Sequence, residues 1–503
     1  MIIRAFFLVI VQTIFVAPLL SAAVSSAPLF RDGAVLQHGK PIPVWGMAVP
    51  GEEITVTFAG QTVSTETDPQ GRWSVTLAAL EPNAEPAEML IAGNETVRIT
   101  DILVGEVWLA SGQSNMVWTV AQSHDADLEV LMAQWPLIRE FNVSRAATPE
   151  PLDQIDGRWV SAQRESVSSF SAVAYAFARD LHQALHIPVG IINSTWGGTV
   201  AEAWTDADTL DEEAFAAIRQ RGKDLLGRTL AAYEENLAEW RREREAAAIA
   251  GDPFTRERPS PPTPHQLRNA PSFLYNGMIH PLVPYGIRGA IWYQGEGNAR
   301  RYEEYRDLFP ALITGWRRVF RQGDFPFYWV QLAEFRAQGP RDTTWAFLRE
   351  AQSRALHLPG TGQAVILDVG DVHDIHPGDK STVGRRLARL ALNRTYGHGI
   401  EDSGPAFAGA DFEGETVRVH FSNTAGGIRT TAVTVRGFEL AGEDRRFFPA
   451  TASISGDSVV LISDDVPAPV AIRYAWRNAP EATLSNGAGL PAAPFRTDDW
   501  RQD

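Results

Sequence analysis

The chain has no cysteine among its 503 residues. That absence excludes a disulfide framework, a thiolate metal site and a cysteine-linked lipid anchor. Long apolar runs are almost as scarce. One extends from Ala5 to Leu20, interrupted by Gln12 and Thr13, and it falls short of the roughly 20 residues that a membrane-spanning helix needs. In "MIIRAFFLVIVQTIFVAPLLSAAVSSA" it follows Arg4 and precedes small residues. That order reads as a secretory signal peptide over residues 1–23, cleaved near Ala23. The expected product is soluble, without a membrane partner, in a periplasm or a secreted fluid. An excess of positive charge is also missing. The formal charge is −16, which speaks against a nucleic-acid partner.

What is present is an ordinary globular composition, 44% hydrophobic and 21% charged, in a chain too long for one core. Fifteen tryptophans accompany ten tyrosines; most indoles should pack the core, and some suit stacking on sugar rings in a groove. Residues 28–104 read as short strands bounded by Gly, Pro, Asn or Asp, such as "EEITVTFAG" and "RWSVTLAAL", and predict an N-terminal β-sandwich-like domain. From 105 to 400 apolar strands alternate with helical patterns, as in "SAVAYAFARDLHQALH" followed by "IPVGIIN". This alternation predicts an α/β domain with a central parallel sheet covered on both faces. β-like runs return over 405–498, from "ETVRVHFS" to "PVAIRYAWR", and predict a second β-sandwich-like domain. Within the α/β region, residues 207–265 read as a helical insertion. Leu226, Leu230, Tyr233, Leu237 and Trp240 recur at heptad-like spacing, and the Pro-rich "DPFTRERPSPPTPHQ" follows them.

In open α/β sheets ligands bind beyond the carboxyl ends of the strands. Four predicted strands are followed there by "SGQSN" (111–115), "STWGGT" (194–199), "QGEGN" (294–298) and "GDVHDIHPGDK" (370–380). Each alone is an ordinary turn; together they bring Ser, Gly, amides, carboxylates and His to one edge. Ser114 is the better nucleophile candidate of two serines, because it lies past Gly112, beyond the strand that Ser111 ends. With Met116 at the last position, the stretch is not the Gly-x-Ser-x-Gly elbow.

The blocks "GQSNM", "STWGGT", "WYQGEGN" and "DIHPGDK", with "LYNGMIHPL" and "GLPAAPFRTDDW", resemble the signature of the sialate O-acetylesterase family, a branch of the SGNH hydrolases. The resemblance runs in order from about residue 30 to 500. It implies an SGNH-hydrolase domain whose serine chemistry removes acetyl groups from sugars, either sialic acid or plant-wall oligosaccharides. It further implies Ser114 as nucleophile, His376 as base, and an oxyanion hole from the N–H groups of Ser114 and Gly198 and the side-chain amide of Gln294. Gln294 stands where most such enzymes have Asn.

A serine hydroxyl needs a base to take its proton, and an acid must orient the imidazole. His376 is followed by Pro377, which stiffens it; His373 reads as solvated loop and His357 is distant. Asp374 is the first choice of acid, Glu296 the rival and Asp371 the third, because His373 occupies the position three before the histidine where many SGNH enzymes carry Asp. With one residue between them, Asp374 and His376 share a side only in an extended segment. Three other classes stay open, the weakest a non-catalytic sugar-binding protein, which the β-sandwiches alone would suggest. A glycoside hydrolase would use Glu296 and Asp374 as paired carboxylates, leaving Ser114 and His376 without a purpose. A metal site would draw on Asp371, His373, Asp374 and His376, without HExxH spacing. The esterase reading needs no cofactor and no metal.

Overall fold

In the computed structural model, which describes residues 23–336 and 343–500, one 17-residue strand, Thr96–Gly112, belongs to two kinds of sheet. Its first half runs antiparallel to Asn83–Ala92, which pairs with Glu53–Phe58 and, through that strand, with Gln61–Glu66. Alternating exposure in these strands leaves one face in water, as antiparallel sheets allow. Its second half is buried without a break from Ile102 to Gly112. There it lies parallel to Val189–Thr195 on one side and Gly289–Tyr293 on the other. The boundary expected at residues 104 and 105 therefore falls inside a continuous strand. The leader read over residues 1–23 lies outside the described residues except for Ala23.

The central strands are ordered Trp159–Gln163, Gln134–Asn142, Val189–Thr195, Thr96–Gly112, Gly289–Tyr293, Phe327–Val330 and Thr361–Ala364. All neighbours are parallel except the first pair. Val189–Thr195 and Gly289–Tyr293 are buried at every position, so both faces are covered. The chain builds one side of Thr96–Gly112 before crossing to the other, and that switch leaves a crevice beyond its carboxyl end. Helix Ala172–Leu185 packs on Lys380–Arg394 closely enough that a Cβ on Gly384 would meet Val173 O at 2.5 Å. Most indoles serve the core: Trp108, Trp204, Trp292, Trp316, Trp329 and Trp476 are fully buried.

The C-terminal strands form two four-stranded sheets and a two-stranded one, around an apolar core that includes Val417, Val419, Leu440, Leu461 and Ile472. Arg349 joins this unit to the central sheet. Completely buried, it donates to the carbonyls of Leu332 and Ala333 on one side and of Arg477 and Asn478 on the other, at 2.7–2.8 Å. The inserted segment is dominated by one helix, Ala216–Ala250. The Pro-rich stretch folds back along it: Trp240 packs on Phe254 at 5.8 Å and donates to Arg256 O at 2.9 Å.

Glu106, in the second half of the long strand, ties it to the N-terminal segment and to the residue before strand Gly289–Tyr293. Its 1%-exposed carboxylate accepts from His38 Nε2 at 2.6 Å and from Arg288 Nε and Nη2 at 2.8 and 2.9 Å. Burial pushes its pKa up, but the donors His38 and Arg288 outweigh that and hold it at about 2. Folded below its ordinary value of 4.5, this group contributes stability that is complete above that value and is lost as pH falls toward 2. Glu106→Gln should therefore cost roughly 3–5 kcal/mol at neutral pH. It should also flatten the acid arm of stability against pH, measured by urea unfolding between pH 2 and 7.

Candidate active site

The site begins where the long strand stops. Gly112 has φ +137°, and a Cβ there would stand 2.2 Å from Tyr293 O. Only glycine lets the two strand ends approach so closely. Gln113 N then donates to Tyr293 O at 3.0 Å, and Ser114 becomes the first residue of a short helix, Ser114–Val117. The Ser114 N–H has no intrahelical acceptor at that position. Ser111 stays in the sheet, completely buried, and its hydroxyl has no hydrogen-bond partner among the described residues.

The "STWGGT" block closes one wall. Trp196 N donates to Gly112 O at 3.1 Å. An added Cβ on Gly197 would lie 3.4 Å from Ser114 Cβ, so the Gly197–Gly198 turn rests directly on the serine; Gly198 itself has φ +69°. The "DIHPGDK" loop supplies the opposite wall. His376 Nε2 stands 2.8 Å from Ser114 Oγ, hydrogen-bond distance for handing a proton from hydroxyl to imidazole. The imidazole lies nearly parallel to the Trp118 indole, ring centres 4.9 Å apart and planes at 16°.

Asp374 reaches the other imidazole nitrogen by a route that spacing did not suggest. The segment is a loop rather than a strand. The Asp374 carboxylate curls back to accept from His376 N–H at 2.8 Å, and the same oxygen stands 3.7 Å from Nδ1. That is ion-pair range and longer than a formed hydrogen bond. Asp371 instead caps the loop, accepting from the N–H groups of His373 and Asp374 at 2.8 and 3.3 Å; His373 is exposed.

Glu296 is held away from the histidine. It accepts from Asn115 Nδ2 at 2.6 Å, and its second oxygen is buried without a partner among the described residues. Burial raises its pKa, against the Asn115 bond and the nearby Lys380 charge. Gln294 is not presented as an oxyanion donor. Its buried amide nitrogen donates to Asn298 Oδ1 at 2.7 Å and Thr199 O at 3.3 Å, using both hydrogens, while its oxygen accepts from Tyr305. Among the described residues no three His, Cys, Asp or Glu side chains stand together as a metal ion would require.

His376 itself sits below its ordinary pKa. Burial is the main cause, Lys380 adds to it, and Asp374 opposes both. The neutral, proton-accepting form is thus favoured near pH 7. Sequence reasoning missed Trp118, whose indole supports the imidazole, and passed over Lys380 within the block that it quoted.

Comparison with known proteins agrees with this architecture. A family model described as a carbohydrate esterase, sialic acid-specific acetylesterase, matches residues 265–393. Sialate O-acetylesterase of Rattus norvegicus is 30% identical over 90% of this chain and 90% of its own length; that of Homo sapiens is 30% identical over 90% and 88%. The crystal structure of a carbohydrate acetylesterase from Xanthomonas citri superposes with a TM-score of 0.82 at 38% identity, covering 95% of this chain and all of that one. The protein is accordingly a carboxylic ester hydrolase of the carbohydrate esterase class. The chain belongs to the sialate O-acetylesterase family.

The Gly112 turn is open to a direct test. Gly112→Ala adds a disfavoured backbone conformation and a clash with Tyr293 O, and should cost at least about 3 kcal/mol. Denaturant unfolding within 1 kcal/mol of the parent would contradict the close approach drawn above.

Proposed function

We propose that Ser114 and His376 hydrolyse O-acetyl groups on sugars through an acetyl-enzyme. The observation that carries this reading is the 2.8 Å separation of Ser114 Oγ and His376 Nε2. His376 takes the hydroxyl proton as Oγ attacks the acetyl carbonyl carbon. The N–H groups of Ser114 and Gly198 receive the oxyanion. Collapse breaks the bond to the sugar oxygen, which leaves with the proton from His376. Water then repeats the sequence, releasing acetate and restoring Ser114. Asp374, 3.7 Å from Nδ1, stabilises the imidazolium formed in each half. Gln294 supports the site by tying Thr199 to Asn298 rather than by facing the oxyanion. Neither a cofactor nor a metal has a step in this sequence.

On this reading residues 105–400 are an SGNH hydrolase domain, and the units at 28–104 and 405–498 are its sandwich-like flanks. The leader over 1–23 would send the enzyme to the periplasm or outside the cell. No helix among the described residues is long and apolar enough to cross a membrane. The paired-carboxylate glycosidase reading is disfavoured, because the Glu296 carboxylate is buried and accepts from Asn115.

Of the two substrate classes, the lining favours an acidic sugar such as a sialic acid. A cavity of about 670 Å3 beside the Ser114 helix is lined by Val117 and Thr119 and by Arg31, Arg145 and Arg158, with Asp156 as the one carboxylate. Arg145 is exposed and stacks on Trp196, 5.8 Å from its ring centre. In a chain of net charge −16, such a cluster selects for a carboxylate.

Acetate release distinguishes the assignments. Ser114→Ala should reduce turnover by about 10³–10⁶-fold and Ser111→Ala should not. On the same ester, Asp374→Asn should lose roughly 10²–10⁴-fold with folding intact, and Glu296→Gln less. Near-normal turnover in Ser114→Ala would end the serine esterase reading. For the substrate, Arg145→Ala should raise KM about tenfold for O-acetyl sialic acid and leave acetylated xylo-oligosaccharides unchanged. Equal effects on both would remove the case for an acidic sugar.

A further inference from the structure

Lys380 is one of only three lysines in a chain with 45 basic residues, and it occupies the least solvated place open to it. It opens the helix Lys380–Arg394, yet its side chain is 0% exposed. Its ammonium donates to Asn115 Oδ1. Asn115 in turn donates to Glu296 Oε1 at 2.6 Å and to the carbonyl of Ile375, the residue before His376, at 2.9 Å. The ammonium also stands 5.8 Å from the ring centre of Trp118 and 5.4 Å from that of Tyr293, within reach of a cation–π attraction. Trp118 is the indole stacked on His376. One buried cation thus touches the serine turn, the end of strand Gly289–Tyr293, and, through Asn115 and Trp118, both the backbone and the ring of the histidine loop.

Taking Ser114 and His376 as the reacting pair, we propose that Lys380 is a positioning residue of the esterase: through Asn115 it holds the His376 loop on the serine turn, and through Trp118 it fixes the plane of the imidazole. Removing a buried ammonium from water is expensive, so a lysine kept there needs compensation. Glu296 supplies most of it, with Asp374 and Asp379 further off. The groups bearing on His376 are Lys380 and Asp374, of opposite sign. Burial brings the Lys380 pKa down to about 7. It is protonated on the acid side of that value, and His376 is itself held below its ordinary pKa. An arginine would not serve, because its planar fork cannot replace a compact ammonium between two rings and an amide.

The sign follows directly. A positive neighbour lowers the imidazole pKa, and activity needs the neutral imidazole, so removing the charge should move the acid limb of kcat/KM to higher pH. The test is that limb, measured with p-nitrophenyl acetate and scaled to active sites titrated with a fluorophosphonate. Lys380→Met leaves Glu296 buried and unbalanced, which costs stability; Lys380→Met with Glu296→Gln removes both charges together. In the double variant the limb should rise by about half a pH unit or more, and kcat per titrated site should fall about 10- to 100-fold with KM little changed. The limb midpoint does not depend on how much protein folds, so a poor yield does not obscure it. A limb and kcat per site equal to the parent's, with only the yield or Tm reduced, would make Lys380 a structural residue and overturn the proposal. Ser114→Ala in the same assay, scaled to protein concentration, separates the two levels: if it retains turnover, the serine reading itself fails, whereas its loss beside an unaltered double variant defeats the role of Lys380 alone.

Discussion

The absence of a side chain at Gly112 is the constraint on which the site depends. The central strand ends against the carbonyl of Tyr293 at a distance that no Cβ could share, and it turns there under a φ of +137° that only glycine adopts readily. That contact aims Ser114 beyond the sheet and brings Gln113 N onto the neighbouring strand end. Trp196 N closes the other side on Gly112 O. Three strand ends are therefore locked together by backbone contacts, and the serine's place is set before any side chain is considered.

Around that turn the protein places charge where water is absent. Glu106, Arg349 and Lys380 are all essentially buried, although isolated buried charges are costly. Each has a different solution. Glu106 is satisfied by His38 and Arg288. Arg349 spreads its hydrogens over four carbonyls and so joins the C-terminal unit to the central sheet. Lys380 shares an amide with Glu296. In each case the charge fastens segments far apart in the chain, which non-directional apolar contacts alone would leave free to slide.

Alternation of apolar strands and helices, and the clustering of Ser, Gly, amide, Glu, Asp and His after strand ends, were legible because they follow local periodicity and turn chemistry. The pattern did not reveal that one strand crosses from an antiparallel to a parallel sheet, since a continuous apolar run looks the same in either. Heptad spacing along the inserted helix was visible, but its packing is modest: Leu230 is half exposed and only Leu237 of the five is buried. The Pro-rich return covers Trp240 instead.

The sequence by itself determined which residues gather at the carboxyl edge of the sheet, because their placement depends only on where each strand ends. It also determined that Ser114 rather than Ser111 leaves the sheet, since glycine marks the turn. Where the carboxylates point was decided only in three dimensions. Asp374 stands 3.7 Å from the imidazole because a loop turn bends its oxygen onto the His376 N–H, and Glu296 is instead bonded to Asn115. Those directions depend on how two distant loops pack on one another. No spacing along a single chain encodes that relation.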